Sequence, residues 1–117
     1  MDQEQAMLKR TKEFAKQIIF LCRDLPRTQE GRLIEAQVSR SGTSVGANYR
    51  AACRGRSRAD FISKLGIVLE EADETLFWLE IILETDVLKP MRLQPLLKEA
   101  NELVAIFTAS VNTARGK

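Results

Sequence analysis

Apolar side chains recur at alternating steps of three and four along nearly the whole chain, and this period limits the fold more than any other feature, because it lays one stripe along one helix face. The first stretch carries Met7, Phe14, Ile18, Leu21 and Leu25, and Pro26 closes it. The second carries Ile34, Val38, Ser41, Val45, Asn48 and Ala52 in unbroken alternation. The third carries Phe61, Leu65, Val68, Ala72, Thr75, Leu79 and Ile82; the fourth carries Leu93, Leu97, Ala100, Val104, Phe107 and Val111. Ser57-Arg58-Ala59-Asp60 has the spacing of a capping box at a helix start, and "TDVLKP" interrupts the pattern before the fourth stretch. The spacing predicts helices over 4–25, 29–54, 58–84 and 91–114. Joined by short links within 117 residues, they make one domain over 1–117: an all-α, antiparallel, up-and-down four-helix bundle.

Gly42 and Gly46 fall inside the second stretch. Each costs a helix interior about 1 kcal/mol relative to alanine. A loop there would have no reason to hold the stripe in register on both sides, so the helix is expected to run through. Gly42, Gly46 and Ala47 would let another backbone approach closely. Ser41, Ser44 and Asn48 add hydrogen-bonding groups to a face that the period buries at least in part, and in the antiparallel arrangement Lys64 and the acids from Glu70 to Glu74 are their expected partners. Two readings stand: a tight helix contact fixed by hydrogen bonds, or a polar stripe that binds something in a groove or on an assembly axis.

The residue inventory closes off most chemistry. With no histidine, a serine triad and the Glu-x-x-His pairs of bundle di-metal sites cannot be built, and no glycine-rich phosphate loop follows a strand. Cys22 and Cys53 have neither metal-knuckle nor redox-pair spacing and read as reduced thiols. No enzyme activity, metal or cofactor is expected. The start, "MDQEQAMLKR", lacks the order of a secretory signal, and no apolar run has the length of a membrane span, so the expected location is cytoplasmic with no membrane association.

In "LFWLEIIL", residues 76–83, Glu80 alone is polar, whereas a bundle helix needs one buried stripe. Phe77, Trp78 and Ile81, with Phe20 and Ile19 on the first helix, are therefore expected to meet another copy of the chain; the alternative is that irregular packing buries them.

A net charge of +2 conceals segregation. Residues 40–64 hold six bases (Arg40, Arg50, Arg54, Arg56, Arg58, Lys64) and one acid, Asp60; residues 65–86 hold seven acids (Glu70, Glu71, Asp73, Glu74, Glu80, Glu84, Asp86) and no base. Folding at the 55–57 turn would set Arg40 beside Glu71 and Glu74, and Arg32 beside Glu80, as interhelical ion pairs. The arginines nearer the turn face no such acids, and the same topology brings Lys9, Arg10, Lys12, Lys16, Arg115 and Lys117 to their end. A basic pole of Arg50, Arg54, Arg56 and Arg58, helped by Lys9, Arg10 and Lys12, has the footprint of phosphate contact, and Tyr49 could offer a stacking face to an unpaired base. The plainer alternative is a solvated end that touches a neighbouring subunit's acids.

The run from Gln37 to Thr85 resembles the four-helix-bundle proteins linked to 23S ribosomal RNA intervening sequences. There an Arg-Ser-x-x-Ser-(Ile/Val)-x-x-Asn helix leads through a Gly-x-(Gly/Ser) corner into an aromatic-rich third helix. Arg40, Ser41, Ser44, Val45, Asn48, Gly55, Ser57, Phe61, Lys64, Leu65, Glu71, Ala72, Glu74, Thr75, Trp78 and Leu79 carry the match. The resemblance implies a cytoplasmic bacterial homopentamer without established enzymatic activity. A group similar in architecture, the accessory variability determinant proteins of diversity-generating retroelements, is associated with nucleic acid through a basic surface, which implies RNA or DNA as a partner. Tyr49-Arg50-Ala51-Ala52 stands where many members carry an Ile-Ala-Glu run, which leaves this chain's corner more basic.

Overall fold

The computed structural model describes residues 2–116, which form four helices and no strand: α1 (Gln3–Cys22), α2 (Gln29–Cys53), α3 (Arg58–Glu84) and α4 (Pro90–Ala114). They make a compact all-α bundle of 44 × 25 × 22 Å in which the backbones of α1 and α2, α2 and α3, α3 and α4, and α1 and α4 lie side by side, with α1 diagonal to α3 and α2 to α4. Each helix start has a local cause. Asp2, Thr28 and Ser57 accept the backbone N–H groups of Gln5, Gly31 and Asp60, and α4 opens on Pro90, whose missing N–H would have had no helical partner.

One boundary differs from the sequence reading by more than a residue, the end of α1; α3 ends at Glu84, where expected. α1 ends at Cys22, not at 25: the N–H groups of Arg23, Asp24 and Leu25 turn to the carbonyls of Phe20, Leu21 and Cys22, since a residue before proline is driven out of the helical region. Leu25 still enters the core, 4% exposed, from this tightened turn. α3 ends in a Schellman arrangement, with Val87 N–H on the Ile82 carbonyl, Asp86 N–H on that of Leu83, and Asp86 itself left-handed at φ 58°.

The buried stripes follow the expected period on α2 and α3, except that Asn48 and Phe61 are half-buried. On α4 the stripe is displaced: Leu96 and Leu103 are buried, whereas Leu97 and Val104 are half-buried. Adjacent apolar pairs at 96–97 and 103–104 satisfy the period in two ways, and packing chooses the other one. On α1 the stripe includes Thr11, 1% exposed, whose hydroxyl donates to the Met7 carbonyl at 2.9 Å and so enters an apolar core with its proton satisfied.

α2 is continuous through its glycines, and α1 explains them. A Cβ on Gly42 would lie 2.8 Å from both Cγ atoms of Ile18, and one on Gly46 would lie 3.1 Å from the backbone oxygen of Thr11. As α1 advances from Thr11 to Ile18, its contacts on α2 recede from Gly46 to Gly42. On the other flank of α2, the buried hydroxyls of Ser41 and Thr75 meet at 2.9 Å, and Arg40 bridges to Glu71 at 3.1 Å and to Glu74, as expected. The expected pair of Arg32 with Glu80 does not form among the described residues.

The α2–α3 corner is tied by Asp60. Its backbone N–H donates to Ser57 Oγ at 3.1 Å, its carboxylate accepts the Arg56 N–H at 3.2 Å, and Lys64 Nζ donates to it at 2.8 and 2.9 Å. The carboxylate thus reaches back one residue beyond the Ser57 cap. Lys64 and the Arg56 amide hold the Asp60 carboxyl below the usual aspartate value.

Two outcomes are expected. Gly46→Leu should lower stability by roughly 1–3 kcal/mol through overpacking, whereas Ala47→Leu, at the next and exposed position, should change it little; thermal melts decide. Because the folded Asp60 pKa is depressed, its contribution is present above the unfolded carboxyl pKa and is lost as pH falls through the folded value. Asp60→Asn should therefore flatten the acid limb of a stability–pH curve and leave the neutral-to-alkaline limb parallel to wild type.

Candidate nucleic-acid interface

The start of α1, the end of α2, the start of α3 and the end of α4 share one end of the molecule. An Arg58 guanidinium nitrogen donates to the Ala114 carbonyl at 3.3 Å, and one cavity is lined by Gln3, Met7, Tyr49, Phe61 and Phe107. Arg50, Arg54 and Arg56 are exposed there, and none of their guanidinium groups has a carboxylate within 4.0 Å among the described residues. Arg58 is exposed and also has no acid partner; its contact is the carbonyl end of α4, where the helix dipole favours a cation. Lys9 and Lys12 join Arg50 along a shallow groove between α1 and α2 floored by Leu8, Ala15, Gly46 and Ala47. Arg115 is exposed at the same end, and Lys117 lies outside the described residues.

Two residues assigned to this surface from sequence are otherwise engaged. Arg10 donates to Glu99 at 2.7 and 2.8 Å and to Glu102 at 2.9 Å, a fork that ties α1 to α4. Hydrogen bonds and charge from Glu99 push its guanidinium pKa further up, and the cation is spent inside the protein. Tyr49 is half-buried with its ring 5.6 Å from that of Phe107, tilted by 53°, and burial raises its phenol. It is not the exposed stacking ring expected from sequence. What remains is a cationic end without an exposed aromatic ring, a surface suited to phosphates more than to unstacked bases.

The polar stripe of α2 crosses to another helix at Ser41 alone, which accepts from Thr75; its other side chains bond within α2. Ser44 Oγ donates to the Arg40 carbonyl at 2.7 Å, and Asn48 Nδ2 donates to the Ser44 carbonyl at 2.9 Å. These bonds stay within the helix and do not go to Lys64, which Asp60 holds, or to the Glu70–Glu74 cluster. Among the described residues no buried side-chain nitrogen or oxygen lacks a partner, so the stripe holds out no unsatisfied group to a ligand.

At the other end the apolar surplus is partly exposed. Phe77 is 51% exposed with its ring edge-on to Trp78 at 5.2 Å, and Phe20 is 40% exposed beneath the Arg23 guanidinium at 5.1 Å. Trp78 and Ile81 are half-buried. Ion pairs that the sequence reading missed, Arg10 with Glu99 and Glu102 and Arg92 with Asp24 at 2.7 Å, all join α1 to α4 or its flanking turn.

No helix among the described residues is long and apolar enough to cross a membrane. No curated protein matches the chain. A crystal structure of a protein of unknown function from the S23 ribosomal protein family of Bacteroides thetaiotaomicron is similar, with a TM-score of 0.82 and 36% identity over 89% of this chain and 96% of that one. The family model described as 23S rRNA-intervening sequence protein matches residues 3–109, nearly the whole bundle, including the glycine-bearing α2, the Asp60 corner and the arginine-rich end. The chain belongs to the 23S rRNA-intervening sequence protein family.

Proposed function

We propose that this chain is a non-catalytic, cytoplasmic, homo-oligomeric bundle that binds nucleic acid, structured RNA above all, through its arginine-rich end. Its path is taken as up-and-down and antiparallel, and five copies is the number that the family resemblance implies. One observation carries the reading: the bases whose charged groups have no carboxylate within 4.0 Å among the described residues gather at one end. Lys9, Lys12, Arg50, Arg54, Arg56, Arg58 and Arg115 cluster there, whereas the other such bases, Arg23, Arg32, Lys89 and Lys98, are scattered, and Arg10, Lys16, Arg27, Arg40, Lys64 and Arg92 are paired. Cations gathered without counter-charges repel one another, and a polyanion relieves that repulsion by releasing its own condensed counterions. The lack of a free aromatic ring favours the regular backbone of folded RNA over a single strand.

The thiols support the non-catalytic part. Burial pushes Cys22 up to about 11, with the Glu35 charge adding to it, and burial also raises Cys53. A nucleophilic cysteine needs the opposite shift. A second reading, a scaffold that recruits a protein partner without nucleic acid, draws on the exposure of Phe77 at 51% and Met91 at 87%.

Binding of a structured RNA should weaken steeply with salt, and R50A/R54A/R56A should lower the slope of log K against log salt by about one for each lost phosphate contact. R40A, which removes a paired cation, should leave the slope unchanged. Affinity indifferent to ionic strength would remove the nucleic-acid reading in favour of the scaffold. Alkylation near pH 8 should modify Cys53 well before Cys22, read by mass spectrometry; rapid modification of Cys22 would contradict its raised pKa.

A further inference from the structure

Two helices carry a second, outward seam. On α1 and its C-cap the exposed residues Lys12, Lys16, Phe20 and Arg23 succeed one another at helical steps, Lys16 also holding Glu13 of its own helix at 3.4 Å; on α3 the exposed residues Glu70, Asp73, Phe77 and Glu80 do the same. α1 and α3 are diagonal in the bundle, so one molecule shows a basic stripe around a phenylalanine on one side and an acidic stripe around a phenylalanine on the other.

The stripes also share a level. Gly42 lies against Ile18 of α1, and Ser41, its neighbour, bonds Thr75 of α3, which sets Ile18 and Thr75 at about one height along the bundle. Both helices run away from the arginine-rich end. Carried along both helices, this correspondence sets Lys12 level with Glu70, Lys16 with Asp73, Phe20 with Phe77 and Arg23 with Glu80, each within a residue.

We propose that copies of this chain associate head to tail, the Lys16–Phe20–Arg23 face of one against the Asp73–Phe77–Glu80 face of the next. The proposal rests on the homo-oligomer reading and names its contact. Charge decides the pairing: α3 against α3 would oppose carboxylates, and α1 against α1 would oppose cations, whereas α1 against α3 matches each acid with a base. Phe20 and Phe77, 40% and 51% exposed, supply the apolar centre that a charged rim alone lacks. The Arg23 guanidinium already lies 5.1 Å from the Phe20 ring, so cation and ring present themselves together.

Sedimentation equilibrium tests this on the full chain. Wild type should sediment as a multiple of 13.2 kDa, whereas K16E/R23E, D73K/E80K and F77A should each sediment at or near 13.2 kDa with unchanged helicity by circular dichroism. The fourfold variant K16E/R23E/D73K/E80K, with both faces inverted, should regain the wild-type mass, and the two charge-reversed variants, each monomeric alone, should associate when mixed into assemblies in which they alternate in equal numbers. Reversed variants that keep the wild-type mass, or a folded fourfold variant that stays monomeric, would overturn the face assignment while leaving self-association intact. A monomeric wild type would overturn the homo-oligomer reading as well; the pole's salt-dependent RNA binding is scored separately, since none of these substitutions touches Arg50, Arg54 or Arg56.

Discussion

Everything at the basic end depends on how closely α1 lies on α2. A Cβ at Gly46 would come within 3.1 Å of a backbone oxygen, so the contact is between main chains, with no side chain to hold them apart. Helix axes ordinarily stand 8–10 Å apart according to the side chains between them, and at Gly42 and Gly46 α2 gives up its side chains where α1 lies against it. Two glycines cost α2 about 2 kcal/mol of intrinsic helicity. The approach offsets that cost with dispersion and burial along the contact, and it delivers Lys9 and Lys12 to the same groove as Arg50. A conformational expense in the middle of one helix is thereby converted into charge density at the end of another.

Stability does not dictate where the charges sit. The core of Phe14, Ile18, Val45, Val68, Leu79, Leu93 and Phe107 is closed to solvent, and each fully buried side chain of this kind contributes about 1.5–3 kcal/mol. An exposed ion pair contributes about 0–1 kcal/mol. The bridge from Arg40 to Glu71 and Glu74 therefore adjusts a fold that the seams have already fixed, and leaving Arg50, Arg54 and Arg56 unpaired costs little. Such a cluster is tolerated energetically, and its concentration at one end is the feature that folding does not require.

Much of this could be read in the residues because helices report themselves locally. The stripe on α2 holds at every position except Asn48, which is half-buried, and the Ser57–Asp60 cap forms, since both depend on contacts set by spacing along one helix. What escaped depends on helices distant in sequence. Arg10 looks free until α1 closes on α4 and finds Glu99 and Glu102, and Tyr49 looks exposed until Phe107 arrives against it. The serines and Asn48 escaped for another reason: their side chains return to carbonyls three or four residues back, a choice equally open to any exposed serine and invisible in the pattern. The displaced stripe of α4 shows the limit of periodicity itself, since a doublet such as Leu96-Leu97 fits two registers and tertiary contact selects one.

The arrangement of copies bears on what an arginine-rich end can do. Exposed cations on a single 13.2 kDa chain make few phosphate contacts, and at physiological salt such a patch binds weakly. A two-fold contact perpendicular to the bundle would send the poles of paired copies to opposite ends and leave each as weak as before. Head-to-tail contact between faces at one level keeps every copy upright, so all the poles lie on one rim. A folded RNA that reaches one pole then meets the next at high effective concentration, and several weak sites act as one stronger site without any new contact. The acidic outer stripe of α3 fits the same logic: within one chain it leaves Phe77 beside carboxylates with no cation of their own, and in the proposed contact it would orient the basic ends.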